Sequence, residues 1–342
     1  MDKEKLKQSV EKVFRDMAGA MTAGMAHVGT RTGLFRAMAG KGPMSVEQVV
    51  GASHLQPRYV EEWLKGMASA GYLDYQGGKY TLSDEMAYFV ASDGTDHFVG
   101  GMWAMVPPLM RVAPQVAEAF EKGGGVRFED FGPDCVEALD LINRGQYDER
   151  FAGYWLSKLP NVVSQLEKGG SMLDFGCGSG RVAMAIKRAF PKADVGGYDV
   201  DAKSIARASE VSKEKGLQVS LSSRIPKTQF DLVSICDCIH DLAAPEATLK
   251  QVHALVKPGG TLFIVEPNAA DRLEDNRNPV ATMFYGFSVF HCMTQSLARG
   301  GPGLGTCMGP AQTEKLVRQA GFRDFKMLDI KSQTNLFYCA NP

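Results

Sequence analysis

The 342 residues predict an α/β fold with a mostly parallel sheet, preceded by a smaller all-α region that ends in a winged helix. Three observations carry this. From Ser171 onward, short β-rich runs alternate with helical patterns, the pattern of a parallel sheet covered on both faces. A glycine-rich turn, Gly176-Cys177-Gly178-Ser179-Gly180, stands between the first of those strands and the first of those helices. Ahead of them, residues 45–82 read as helix, turn, helix and hairpin.

Taken in order, Leu6, Val10, Val13, Phe14, Met17, Met21 and Met25 recur at helical spacing, and Gly33 and Gly40 interrupt the run, which predicts two amphipathic helices. A Met- and Ala-rich stripe of this kind belongs to a core or a dimer interface. Ser45 to Val50 reads as a capped short helix, and Gln56 to Leu64 as a longer one with Pro57 in its first turn. Strands at Tyr72–Tyr75 and Tyr80–Leu82 flank a Gly77-Gly78 turn. The Pro-interrupted apolar segment Phe98 to Glu121 leads to Gly123-Gly124-Gly125, taken as the boundary of a first domain spanning 1–125. A bridging helical segment, 126–168, precedes the domain at 169–342. There, strands are expected at Met172–Phe175, Val195–Asp199, Val219–Leu221, Phe230–Cys236, Thr261–Val265, Asp324–Ile330 and Asn335–Cys339.

Composition excludes several classes of function. With 38 Lys and Arg against 39 Asp and Glu, the chain lacks the basic excess that neutralises phosphates. The helix that would read DNA carries Glu61 and Glu62 between Arg58 and Lys65, so no nucleic-acid partner is expected. Seven scattered cysteines suggest free thiols in a reducing, cytoplasmic compartment, and residues 1–11 show no secretory pattern. The longest uncharged run, 278–298, contains Pro279, Gln295 and His291 and reads as a pocket wall, not a membrane span.

The chemistry gathers at strand ends. Asp174 and the spacing Gly176-x-Gly178-x-Gly180 offer backbone N–H groups to a ligand, and Asp199 ends the second strand, where a carboxylate accepts both hydroxyls of a ribose. Cys177 fills a small-residue position, and Val200 follows the acid. Cys236, Cys238 and His240 share one face as the chain leaves the fourth strand; with no second cysteine pair at ligand spacing, no metal is expected. Trp103, Tyr147, Tyr285 and His291 belong to an aromatic and methionine-rich set that suits either a substrate wall or core packing. Arg144 and Arg150 either hold an anionic group or are solvated.

With these motifs the sequence resembles the class I S-adenosylmethionine-dependent methyltransferases, in which Asp174-x-Gly176-x-Gly178-x-Gly180 is the first motif and Asp199 the second. Lys257-Pro-Gly-Gly260 resembles the family's entry into its fifth strand. The winged helix resembles the dimerising domain of O-methyltransferases, and the stretches Arg58–Leu64 and Phe290–Gly305 resemble a bacterial, including mycobacterial, branch. The resemblance implies a Rossmann-like seven-stranded methyltransferase domain behind an N-terminal all-α, winged-helix domain. It also implies a homodimer, S-adenosylmethionine bound by Asp174, Gly176, Cys177, Gly178, Gly180, Asp199, Val200, Cys236 and Asp237, and a small-molecule acceptor.

His240 stands where plant-type O-methyltransferases have a general base, with Glu266 as the acid that orients it; a structural hydrogen-bonded histidine is the other reading. Leu242 replaces the family's tryptophan, and Cys307 falls near its second acid. O-methylation is the expected reaction. A thiol or thioether acceptor that needs no base, and a winged-helix regulator responding to the methyl donor, are the alternatives.

Overall fold

The computed structural model describes residues 1–342, which divide into two compact units. The first comprises residues 1–108 and 133–146, the second 109–132 and 147–342.

The first unit opens on a helix at Lys3–Thr32, whose N-terminal N–H groups are met by the Asp2 carboxylate. It stops where Gly33 takes the left-handed conformation, φ 77°, that other residues avoid. The short helix Leu34–Met38 follows, then Val46–Ser53, capped reciprocally by Ser45 and Gln48, and Pro57–Ser69, with proline at its first position. β1 (Asp74–Gln76) and β2 (Lys79–Thr81) pair antiparallel across Gly77 and Gly78, both at positive φ, as a two-residue hairpin turn requires. The winged-helix order predicted from the sequence is therefore present. Phe35, Met38, Leu64 and Met67 are fully buried at its centre, and the Trp63 indole N–H donates to Met25 O at 2.8 Å.

The two helices predicted over residues 6–38 are present, broken at Gly33, and the apolar stripe of the first is exposed: Val13, Phe14, Met17 and Met21 each keep more than half of their surface open. Only further along, at Ala26 and Gly29, does the helix enter the core; a Cβ on Gly29 would come within 2.5 Å of the Trp63 ring.

The second unit is built on seven strands: β3 (Ser171–Phe175), β4 (Asp194–Tyr198), β5 (Ser220–Ser222), β6 (Phe230–Cys236), β7 (Val256–Pro267), β8 (Arg323–Met327) and β9 (Asn335–Asn341). They lie in the order β5-β4-β3-β6-β7-β9-β8, parallel from β5 through β7, with β9 antiparallel to both neighbours. All seven fall where the sequence places them, to within a few residues except at β7, which begins earlier because Val256–Gly260 continues the strand.

Alternate residues of β3 feed opposite faces, Met172 packing with Val182 and Phe263, and Leu173 with Val252 and Leu316. Burial on both faces makes β6 and β7 nearly continuous apolar runs. The chain leaves β3 toward β4 on one side and reaches β6 on the other, so the strand order reverses at the β3 carboxyl end, where open α/β sheets bind ligands.

The bridging segment is a helix at Asp134–Arg150, a π-helical turn at Phe151–Trp155 and a further helix at Pro160–Glu167. The π turn keeps Phe151 and Trp155 both fully inside, Trp155 against Phe337 at 4.7 Å. The uncharged run 278–298 is a helix, a second π turn at Ser288–Cys292 and a short helix, and no helix is long and apolar enough to cross a membrane.

Leu232, fully buried at the centre of β6, tests this core. Leu232→Ala is expected to lower stability by roughly 2–5 kcal/mol, read as a reduced urea midpoint with an unchanged slope.

Candidate active site

At the β3 end, Gly176, Gly178 and Gly180 all have positive φ, at 77°, 50° and 76°. These conformations turn the chain back so that the Gly176 and Cys177 N–H groups donate to Tyr198 O at 2.7 and 2.9 Å, tying the loop to β4. A Cβ on Gly176 would come within 2.9 Å of Cys238 Sγ, whereas one on Gly178 would meet nothing within 4 Å. The loop is thus packed on one side and open at Gly178, a backbone cradle of the kind an extended ligand can approach closely.

Two acids frame the cradle. Asp199 accepts from Gly178 N–H and Asp201 N–H at 2.8 Å each, one bond per carboxylate oxygen, which fixes the carboxylate and leaves lone pairs on both oxygens. Removal from water still holds its pKa above the ordinary range. Asp174 is buried, paired in register with Ser234 across β3 and β6, and accepts the Ser234 hydroxyl at 2.6 Å. Burial pushes its carboxyl up to about 7, against the Ser234 bond and helped by the charge of Asp199.

At the β6 end, Asp237 is a non-glycine residue at φ 48°, a conformation that costs about 1–2 kcal/mol and is held by its partners. The Tyr147 hydroxyl donates to one of its carboxylate oxygens at 2.6 Å and Asn335 to the other at 2.9 Å, while its own N–H donates to Val265 O. Burial pushes this carboxyl up to about 6.

Three residues on, His240 lies buried in a 3-10 turn at Ile239–Asp241. Its Nδ1 is 2.7 Å from Glu266 Oε2, and Glu266 Oε1 accepts the N–H groups of Cys238 and Ile239 at 3.2 and 2.8 Å. The buried carboxylate therefore both orients the ring and anchors the turn that carries it. Burial opposes a charged imidazole here, but Glu266 and then Cys292 override it and hold the His240 pKa well above its ordinary value.

Residues 147–324, just over half of the chain, match the family described as a methyltransferase domain. The chain belongs to that family and is a methyltransferase. Residues 20–92 match an Rv2258c-like winged helix-turn-helix domain. The methyltransferase is similar to the ubiquinone biosynthesis O-methyltransferase of Pseudomonas aeruginosa, with 28% identity over 182 residues, 51% of this chain and 70% of that enzyme. In fold it is similar to human N-acetylserotonin methyltransferase, with TM-score 0.68, 21% identity and coverage of 98% and 97% of the two chains. An O-methyltransferase family protein of Burkholderia thailandensis gives TM-score 0.66, 14% identity and 97% coverage of each chain.

Within the methyltransferase, the second unit brings together Asp174, the glycine loop, Asp199, Cys236, Asp237, Tyr147, His240 and Glu266, all of them read from the sequence. Val200 is exposed beside Asp199, and Cys177 is buried under the loop, where a Cβ on Gly197 would come within 2.9 Å of its sulfur. His291 is buried with its ring 4.9 Å from that of Phe131, and Tyr285 is 38% exposed on the helix Pro279–Phe287.

Two substrate candidates belong to the first unit. Trp103 packs between Phe35 and Tyr72, with ring distances of 5.9 and 5.7 Å. Arg144 is bound by Asp93 at 2.6 Å, by Glu137 at 3.0 Å and by Asp140, and lines a cavity of about 350 Å³ with His27, Arg36 and Pro107. Its charge is answered within the unit.

Sequence reasoning missed Ser234, Asn335 and Cys292 as members of the site. No local signal marks them, because each reaches its partner only through strand pairing or the second π turn.

The acid Asp174 yields a test of the site's electrostatics. Its folded pKa of about 7 lies above that of an unfolded aspartate, so the stability it contributes at low pH is lost between about pH 4 and pH 7. Asp174→Asn keeps an acceptor for Ser234 and removes the titration. Its stability relative to the parent is expected to rise through that interval, by on the order of 1–4 kcal/mol, and to level off above it, as urea unfolding at a series of pH values would reveal.

Proposed function

We propose that this methyltransferase uses S-adenosylmethionine to methylate a hydroxyl group of a small organic acceptor, with His240 as general base. The observation that carries the reading is the His240–Glu266 pair, 2.7 Å apart, joining the turn after β6, the strand beside β3, to β7. Asp199 would hold the ribose hydroxyls, the bare Gly178 backbone admits the ligand at close range, and Asp237 and Cys236 flank it at the β6 end. The donor brings a sulfonium methyl that already carries the positive charge needed for transfer. The protein's own tasks are therefore to align the acceptor, exclude water and take up one proton.

Glu266 accepts from the Nδ1 side, so the opposite ring nitrogen is the one that can receive the acceptor's proton. A base so held suits a hydroxyl, which must lose a proton, and is superfluous for a thioether. The O-methyltransferase names of the Pseudomonas aeruginosa relative and of the Burkholderia thailandensis structure point the same way.

Calorimetry with S-adenosylmethionine and with S-adenosylhomocysteine tests the donor, and absence of heat with both would remove it. Labelled donor offered with a panel of phenols, hydroxyindoles such as N-acetylserotonin, thiols and amines tests the acceptor. His240→Ala is expected to lower kcat on a hydroxyl acceptor by about 10²–10⁴-fold with donor binding retained. Near-full turnover in that variant would reject the base.

The exposed stripe of the first helix supports a homodimer as the assembled form, since Val13, Phe14, Met17 and Met21 form a continuous apolar strip with nothing of their own chain upon it. On Pro57–Ser69, the Arg58–Glu62 and Lys65–Glu61 pairs satisfy the basic side chains locally, which argues against a DNA-reading role for this winged helix. Phe14→Glu with Met17→Glu is expected to shift sedimentation from dimer to monomer. A parent protein that sediments as a monomer would exclude the assembly.

A further inference from the structure

The first unit holds a cavity of about 350 Å³ that plays no part in methyl transfer as described above. Residues 27–36, where the opening helix ends, form one wall, and the segments 90–107 and 133–144 form the others. Phe35, Val90, Phe98, Pro107, Ala138 and Leu141 give it an apolar lining. Every residue around it belongs to the first unit, and none to the glycine cradle or the His240 turn.

Two polar groups in this wall are unanswered. His27 and Thr30 stand three residues apart on one face of the opening helix, and both line the cavity. His27 Nδ1 and Thr30 Oγ1 are shut off from water, and no group of the chain hydrogen-bonds to either. Thr32, two residues on, shows how a helical threonine ordinarily satisfies itself: its hydroxyl donates to Val28 O, four residues back, at 2.7 Å. Thr30 makes no such bond to Ala26. Native proteins leave few buried polar groups unpaired, so two on one cavity wall point to a partner from outside the chain.

The charges around the cavity narrow its chemistry. Arg31, Arg36 and Arg144 face Asp93, Asp134 and Glu137, equal numbers of each sign, and Arg144 is held by Asp93 and Glu137 at 2.6 and 3.0 Å. The lining favours neither a cation nor an anion. Burial and the charge of Arg31 hold the His27 pKa below its ordinary value, against Asp134, so the imidazole is neutral at pH 7. The volume sits at the lower end of the range of small-molecule sites, about 300–1,000 Å³, which suits a molecule of one or two rings.

We propose that the first unit binds a small uncharged aromatic alcohol in this cavity, its rings against Phe35 and Phe98 and its hydroxyl bonded to Thr30 and His27. A hydroxyl meets both groups at once, because it donates to the imidazole nitrogen while accepting from the threonine. Neither group has a bond to break on turning toward the ligand. The molecule is a second ligand, distinct from the methyl acceptor, and the inference does not depend on His240 being a base.

4-Hydroxybenzophenone, which couples to neighbouring C–H bonds under near-ultraviolet light, is the probe, and benzophenone, the same body without the hydroxyl, is its control. Photolysis with the full-length protein followed by peptide mass mapping is expected to label residues 27–36, 90–107 and 133–144. Half-saturation of that labelling is expected at a concentration about tenfold lower for the phenol than for benzophenone. Thr30→Val, which keeps the shape of the side chain, should weaken the phenol about tenfold and leave benzophenone unchanged. Ala104→Phe, which fills the space, should abolish labelling of the three segments.

Labelling found only on the exposed stripe at residues 13–21 or in the second unit would overturn the proposal. So would equal half-saturation by the two probes, or a phenol bound as tightly by Thr30→Val as by the parent. The parent and Thr30→Val decide the matter even where Ala104→Phe fails to fold.

Discussion

The parallel pairing of β3 with β6 is the constraint on which the site depends. These strands lie side by side in the sheet but are joined in sequence through β4 and β5, so their carboxyl ends release the chain in different directions. The glycine loop leaves one end and the His240 turn the other. Asp174 and Ser234, opposite one another in the register, lock the two ends together through a buried hydrogen bond. A slip of one residue along this pair would reverse the facing of every side chain and separate the cradle from the base.

Around that junction the protein keeps acids largely out of bulk water, Asp174 fully buried and Asp237 and Asp241 half-buried. Asp174, Asp237 and Asp241 are all raised, to between about 6 and 7, mainly by desolvation. Such groups cost stability at neutral pH, and the compensation comes from apolar packing on the two faces of the sheet. A cationic ligand would be welcomed by this arrangement, because positive charge beside a reluctant carboxyl favours its ionised form. The left-handed backbone of Asp237 belongs to the same pattern, being a local strain maintained by Tyr147 and Asn335.

Much of this was legible in the sequence because it is local. Glycines at required positive φ, an acid at a strand end and alternating apolar runs leave their marks within a few residues, and the strands and the cradle follow from them. The pairing of His240 with Glu266 was reached by resemblance. What escaped is non-local or irregular. Cys292 stands 52 positions from His240 and comes near it by way of a π turn, whose extra residue breaks the 3.6-residue rhythm that helix reading relies on. Asn335 lies 98 positions from Asp237 and arrives only through the antiparallel insertion of β9 beside β7. For Arg144, residue type left an anion-holding role and solvation open, and the partners that answer its charge, Asp93, Glu137 and Asp140, come from two stretches of the first unit.

The opening helix has a consequence for how the molecule folds. Residues 1–21 are exposed on every side, so this stretch has no tertiary packing of its own chain to sustain it. Most helical stability in proteins comes from packing of an amphipathic face, which this stretch finds nowhere on its own chain, so a good cap such as Asp2 has little to build on. Were the proposed homodimer to cover this stretch, its order would become a matter of mass action, and far-ultraviolet helicity would fall on dilution below the dimer's dissociation constant.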